Sequence, residues 1–388
     1  MRQKSLDRVA WLLPAMGTGG ISFQHLLAEF SRIYPNTTTF TGQWPGYAAG
    51  FEQTFIVEEV GATHYIELGK ATNGYTIGFS AASPQIVSRL WQFKPRIVFA
   101  NAFTTWTAIA LLLKPICRWK VIITYEGGSP LYESPSSSTI RYRARQWMAQ
   151  LCDAFVVNSQ AGKSYLLDIL QVNPQRVFAR PFLVPSVKAM MQSSAADELP
   201  QLDPHANRSI FLFVGQIIPR KGLKNLLAAC LQLKQQGYED YTLAIIGDGE
   251  QQAELETFAK ESGLAQQVKW LGKIPYRCLG AYFQLADVFI FPTFDDIWGM
   301  VLTEAMAFGK PVICSTGAGA AEMVNNGVNG FRYDPDRIEQ LAAYMIRFLD
   351  TPDLIQKMGV ESTQIMLRNT PKSATLCFFE AIDYISDR

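Results

Sequence analysis

The chain has 388 residues, 48% apolar and 18% charged, with a formal net charge of +1. That length suits two domains rather than one core, and the near-neutral balance predicts no nucleic-acid partner. Six scattered cysteines form no CxxC pair and three histidines give no zinc-finger spacing, so reduced thiols in a cytoplasmic protein are expected, with no metal centre.

At the N-terminus the apolar run VAWLLPAM is short and follows Asp7 and Arg8 directly. A first strand over Val9–Leu13 explains it better than a signal peptide. Gly17-Thr-Gly-Gly20 comes next and opens a helix over Ile21–Ser31. It lacks the full glycine fingerprint of dinucleotide-binding turns. Ile97–Leu113, the most apolar stretch, contains Asn101, Thr104, Thr105 and Thr107. It falls short of the roughly 20 residues of a spanning helix and reads as a strand, a polar loop and a helix, so no transmembrane segment is expected. Arg96–Ala100, Lys120–Thr124 and Ala154–Asn158 read as further buried strands, rich in Val, Ile or Phe. Between the last two, a helix over Thr139–Leu151 carries Arg141, Arg143, Arg145 and Trp147. Arg141 and Arg145 share a face, which could meet anionic lipid headgroups in a weak peripheral contact at the inner face of a membrane; the alternative is a solvated helix with a packed tryptophan.

Residues 191–208 are polar, contain two prolines and show no apolar period, as expected of a linker. The strand-and-helix alternation then restarts at Ser209 with strands at Ile210–Val214, Tyr241–Ile246, Val268–Leu271, Val288–Phe291 and Pro311–Cys314. Alternation of this kind predicts parallel sheets covered by helices on both faces. The expected organisation is an α/β protein of two Rossmann-like domains, 1–190 and 209–371, facing a central cleft, with a C-terminal helix over 372–388 returning to the first. Ligands bind outside the carboxyl ends of strands in such sheets, so the loops that follow strands carry the information.

The first of these, Gly215-Gln-Ile-Ile-Pro-Arg-Lys-Gly222, is a glycine-bounded turn. Its Arg220 and Lys221 suit a diphosphate and would neutralise charge growing on a departing phosphate; an ordinary turn with two exposed bases is the alternative. Gly247-Asp-Gly249 and Trp270-Leu-Gly-Lys-Ile274 also follow or end strands. The strongest pattern is PTFDDIWGMVLTEAMAFGKPVI, residues 292–313, where Asp296 and Glu304 stand eight apart. A helix beginning near Gly299 would offer the N–H groups of Met300 and Val301 to an anion, and the glycine lets the backbone come close. The alternative is that Asp295 caps the helix and Glu304 is solvated.

This last segment closely resembles the E-x7-E region of the retaining glycosyltransferases of family 4, which have the GT-B fold. It matches at Pro292, Thr293, Gly299, Glu304, Ala305, Met306, Ala307, Gly309, Pro311 and Val312, and departs at Asp296, where the family usually has Glu. The resemblance implies that Glu304 binds ribose hydroxyls of a nucleotide and that Asp296 faces the donor sugar. Lys221 occupies the family's lysine position in a loop where Gln216 replaces the usual arginine. By the same resemblance Gly247 belongs to a glycine-rich donor loop, Lys273 and Ile274 lie at the nucleotide base, and Gly17, Gly19 and Gly20 approach the donor phosphates. The pair Asn158-Ser159 resembles the family's N-S pair, with a helix cap as the plainer reading. Glu126 stands where family members often have histidine, either as a group that accepts a sugar hydroxyl or acceptor proton or as a brace for its loop.

The implied function is metal-independent transfer, with retention, of a sugar from a nucleotide-diphosphate-sugar to a hydroxyl of a carbohydrate or lipid-linked acceptor. The donor is a substrate and no cofactor is expected. Two alternatives stay open: a nucleotide-sugar-binding regulator with little turnover, and another GT-B enzyme such as a nucleotide-sugar epimerase.

Overall fold

The computed structural model describes residues 7–16, 21–48, 50–61, 64–70, 76–81, 83–127, 139–187, 190, 202 and 208–387. The expected donor-loop residues Gly17, Gly19 and Gly20 and most of the 191–208 segment lie outside them. The chain divides into two units. Unit 1 comprises Met1–Val184 and Asn369–Arg388, and unit 2 comprises Pro185–Arg368.

Unit 1 is built on a seven-stranded parallel sheet. In chain order its strands are β1 (Val9–Leu13), β2 (Thr37–Thr41), β3 (Ile56–Glu59), β6 (Ile97–Asn101), β7 (Lys120–Tyr125), β8 (Ala154–Val157) and β9 (Val177–Ala179), arranged β3-β2-β1-β6-β7-β8-β9. A separate antiparallel hairpin joins β4 (His64–Lys70) and β5 (Thr76–Ala81). Strands β1, β6, β7 and β8 are apolar on both faces and almost wholly buried, as a sheet covered on both sides requires.

The terminal helix Pro371–Ser386 belongs to this unit. Pro371 and a capping box between Thr370 and Ser373 start it cleanly. It packs on the helix Ile21–Ser31 and on β8 and β9, and its Phe378 stacks among Trp11, Phe30 and Phe99. At the other crossover the buried Oδ1 of Asn158 accepts the backbone N–H groups of Phe182 and Leu183, both at 2.8 Å. These bonds hold the chain just before Val184, where unit 1 ends.

Unit 2 holds a six-stranded parallel sheet: β10 (Ser209–Val214), β11 (Tyr241–Ile246), β12 (Val268–Gly272), β13 (Val288–Phe291), β14 (Val312–Ser315) and β15 (Gly330–Tyr333), ordered β12-β11-β10-β13-β14-β15. The order reverses between β10 and β13, and the crevice for a ligand in such a sheet opens at the carboxyl ends of those two strands. A single apolar core of residues such as Phe211, Leu226, Ile245, Ile290 and Phe348 supports the sheet from one side. Among the described residues no helix is long and apolar enough to cross a membrane.

Candidate active site at the switch point of unit 2

Two loops meet where the strand order reverses. The loop after β10 closes in a short 3-10 turn, Pro219–Lys221, and Gly222 then starts the helix Leu223–Gln235. The loop after β13 runs from Pro292 to Gly299, where the helix Met300–Ala307 begins. The loops are tied together by backbone. Phe294 N–H and the Thr293 hydroxyl both donate to the Arg220 carbonyl, at 2.8 and 3.0 Å, and the Arg220 guanidinium donates to the Asp295 carbonyl at 2.9 Å. Gly222 sits at φ +69°, and a Cβ there would lie 2.0 Å from the Pro292 carbonyl oxygen. Only glycine combines that conformation with that approach.

The charged side chains converge inside this frame. Lys221 Nζ pairs with Asp296 Oδ2, the Arg220 guanidinium lies 3.9 Å from the same oxygen, and the Phe291 ring faces the Lys221 ammonium at 5.4 Å. Asp296 is held in turn. Its other oxygen accepts the Trp298 N–H at 3.3 Å, its N–H donates to the Gly317 carbonyl at 3.0 Å, and its carbonyl accepts from Gly319 N–H at 2.9 Å. Two cations and one carboxylate, all mostly buried, make a pre-set electropositive spot, which is what a polyanion needs and what a flexible surface pair would not supply.

Gly299 takes φ +92° and has the Phe291 ring where a Cβ would stand, so the helix starts against the strand it follows. Met300 and Val301 form its first turn. The N-cap of this helix is Gly299, not Asp295. Glu304 is buried rather than solvated, and the Tyr276 hydroxyl donates to its Oε1 at 2.9 Å. Burial raises its carboxyl from the ordinary 4.5 to about 7, partly offset by the tyrosine bond. Tyr276 carries no signal in the sequence: it lies 28 positions before Glu304, beyond any local spacing rule. The remaining predicted donor residues line the same edge. Gly215 N–H bonds the Ile246 carbonyl at 3.0 Å, Gly247 N–H bonds the Gly272 carbonyl at 2.9 Å, Lys273 is exposed and Ile274 is half-buried.

Glu126 lies in unit 1. It follows β7, half-buried, and its Oε1 accepts the Asn101 amide from the end of β6 at 3.2 Å. Burial pushes its carboxyl above the usual range, and the Asn101 bond opposes that. Ser159 is a helix cap, accepting the Gly162 N–H at 3.1 Å. Among the described residues no cluster of three His, Cys, Asp or Glu side chains is placed to hold a metal ion.

The family described as "Glycosyl transferases group 1" matches residues 196–364, and "Glycosyltransferase Family 4" matches residues 41–181. The amylovoran biosynthesis glycosyltransferase AmsK of Erwinia amylovora is 35% identical over 143 residues, 35% of each chain. The α-D-kanosaminyltransferase of Streptomyces kanamyceticus is 27% identical over 153 residues, 39% of each chain. The alignments thus span well under half the length of these relatives. Two solved structures share the fold over the whole chain, each at a TM-score of 0.73. One is the Anabaena protein Alr3699/HepE in complex with UDP, at 17% identity, covering 98% of this chain and 100% of that one. The other is sucrose-phosphate synthase from Thermosynechococcus elongatus, at 18% identity, covering 98% and 99%. Both units are Rossmann-like, and the architecture is that of the GT-B glycosyltransferases.

Proposed function

We propose, from the premise that the chain belongs to the group 1 glycosyl transferases of the family 4 type, that it transfers a sugar from a nucleotide-diphosphate-sugar to a hydroxyl of a carbohydrate or lipid-linked acceptor. One observation carries this reading: Lys221, Arg220, Asp296 and the start of the Met300–Ala307 helix converge at the carboxyl ends of β10 and β13. A pyrophosphate there would meet two fixed cations and the N–H groups of Met300 and Val301.

In this reading Asp296 keeps the Lys221 ammonium in place until the donor phosphates take it over. Glu304 accepts the ribose hydroxyls, oriented by Tyr276, and the backbone at Lys273 and Ile274 borders the base. As the bond to the anomeric carbon breaks, negative charge grows on the β-phosphate beside Lys221 and Arg220, where fixed cations lower the barrier. That phosphate can take the acceptor proton on the same face of the sugar, so transfer proceeds with retention and needs neither an enzymic nucleophile nor a metal. Glu126 is assigned to the acceptor or the sugar hydroxyls. The six free cysteines support a cytoplasmic setting. UDP-sugars are the first donors to try, since HepE was solved with UDP and with UDP-glucose.

The test is a thermal-shift screen of UDP-, GDP- and ADP-sugars on the wild type, Lys221→Ala and Glu304→Ala, followed by transfer assays with the donor that stabilises. A ligand that binds the native state raises its melting point. One donor class should do so for the wild type and much less for the variants. Unchanged donor affinity in both variants would sink the site assignment.

A further inference from the structure

We infer that the side of unit 1 formed by three neighbouring helices is a docking surface for an anionic lipid bilayer. On the helix Thr139–Leu151, Ile140, Ala144, Trp147 and Leu151 recur at spacings of four, three and four, which places them on one face, and all four are exposed. On the helix Thr105–Cys117, Leu112 and Ile116 are exposed one turn apart; on the helix Ile86–Phe93, Val87 and Trp91 repeat the arrangement. Ile140, Ile116, Leu112 and Trp91 are each more than half exposed. Core packing explains none of these positions, and scattered apolar residues do not ordinarily line up on three neighbouring helices.

Two open cavities run through the patch. The larger, about 580 Å³, lies between Leu112, Arg118, Trp147 and Leu151, and the smaller, about 240 Å³, between Trp91, Lys94 and Cys117. Trp119 walls both. The cavities sit at the beginning of β6 and β7, since Lys94 and Pro95 precede the one and Trp119 the other. Asn101 and Glu126, at the far ends of those strands, line neither cavity.

Charge selects the occupant. The charged side chains that line the two cavities are Lys94, Lys114, Arg118 and Lys120, in a chain whose total is only +1. No acid lines either cavity. Lys94, Arg118 and Arg143 rim the apolar surface, while Asp153 engages Lys114 at 2.8 Å and Lys120 at 3.7 Å. A second copy of the chain would bring the same cations face to face across a two-fold interface. An anionic bilayer instead satisfies both properties: tryptophans settle at the headgroup level, aliphatic side chains enter the acyl boundary, and the cations meet lipid phosphates. Arg145 takes no part, because it donates to the Tyr165 hydroxyl at 2.7 Å and lies over the Phe103 ring.

The experiment is vesicle flotation of the whole chain without any sugar donor, so its outcome is independent of the transfer reaction. Phosphatidylglycerol–phosphatidylcholine vesicles should carry the protein, with tryptophan emission shifting to the blue, while phosphatidylcholine alone should not. Ile116→Glu with Trp147→Glu, and separately Arg118→Glu with Arg143→Glu, should each lower partitioning by about tenfold or more with thermal unfolding unchanged. The surface assignment is overturned by equal flotation on neutral vesicles, by no flotation, by full flotation of both variants, or by a lipid-free dimer that these variants abolish.

Discussion

The two sheets have the same design and carry different chemistry at the carboxyl ends of their central strands. In unit 2 the loops after β10 and β13 are locked by backbone bonds through the Arg220 carbonyl, and the lock presents two cations. In unit 1 the order reverses between β1 and β6; on the β6 side of that point, β6 and its neighbour β7 lead to a neutral amide and a carboxyl, Asn101 and Glu126. A pyrophosphate is the same in every nucleotide-sugar and demands fixed positive charge. An acceptor hydroxyl demands only a polar, adaptable neighbour. Under the proposed transfer reaction, the rigid end suits the invariant part of the chemistry and the plainer end the part that differs between substrates.

The largest effect should come from Lys221. Lys221→Ala removes the ammonium nearest the developing charge and leaves Asp296, mostly buried, with Arg220 at 3.9 Å as its remaining cation. Turnover should fall roughly a hundredfold or more, the scale of losing one fixed group that stabilises transition-state charge. Steady-state rates with the donor found by thermal shift would measure it. A fall of less than threefold, against the roughly hundredfold expected, would mean that the locked loops serve stability and not transfer.

Glu304 comes next, and its effect carries a pH signature. Its carboxyl titrates near 7 in the folded protein against an ordinary 4.5. Between those values the native state holds a proton that the unfolded chain has lost. The stability this gives is complete below the unfolded value and is lost as pH rises through about 7. Glu304→Gln keeps the shape without the titration. Its melting temperature should gain on the wild type from pH 5 to pH 8, while its donor affinity falls about tenfold through weaker acceptance of ribose hydroxyls. Equal pH slopes for the two proteins would show that Glu304 does not titrate there.

A prediction on unit 1 tests architecture alone. Asn158 satisfies two buried N–H groups that end its chain segment. Asn158→Ala should cost about 1–3 kcal/mol of stability, read by denaturant unfolding, with donor affinity per folded molecule unchanged.

Much of unit 2 was legible because its strands are continuous apolar runs and its loops carry residues fixed by charge and backbone geometry. Unit 1 hid more. Strand β2 reads TTTFT, which gives no apolar run, yet it is fully buried, with the Thr37 hydroxyl donating to the Tyr34 carbonyl at 2.6 Å. The hairpin of β4 and β5 and the short β3 and β9, like β15 in unit 2, also lack the long apolar signature that marked the central strands. At the candidate site the residues that touch a ligand by hypothesis were named from the sequence, whereas their supports were not. Tyr276, Asn101 and Phe291 act by contact across the fold, and contact at such separations leaves no period or spacing to read.

Glu126 should show the smallest and most discriminating effect. It is held by the Asn101 amide alone among its described hydrogen bonds, without the cationic frame that fixes Asp296. A carboxyl in that setting can move toward a hydroxyl at little cost, and burial raises its pKa above the usual carboxylate value. Glu126→Gln should leave donor affinity as it is and lower turnover by roughly three- to tenfold, since an amide still bonds the hydroxyl but the stronger, charge-assisted acceptance by a carboxylate is lost. Asn101→Ala should move the pH–rate profile in the alkaline direction, because it removes the bond that opposes the raised carboxyl. If Glu126→Gln instead weakened donor binding and left turnover intact, the carboxyl would belong with the donor, and the division of labour between the two sheets would have to be redrawn.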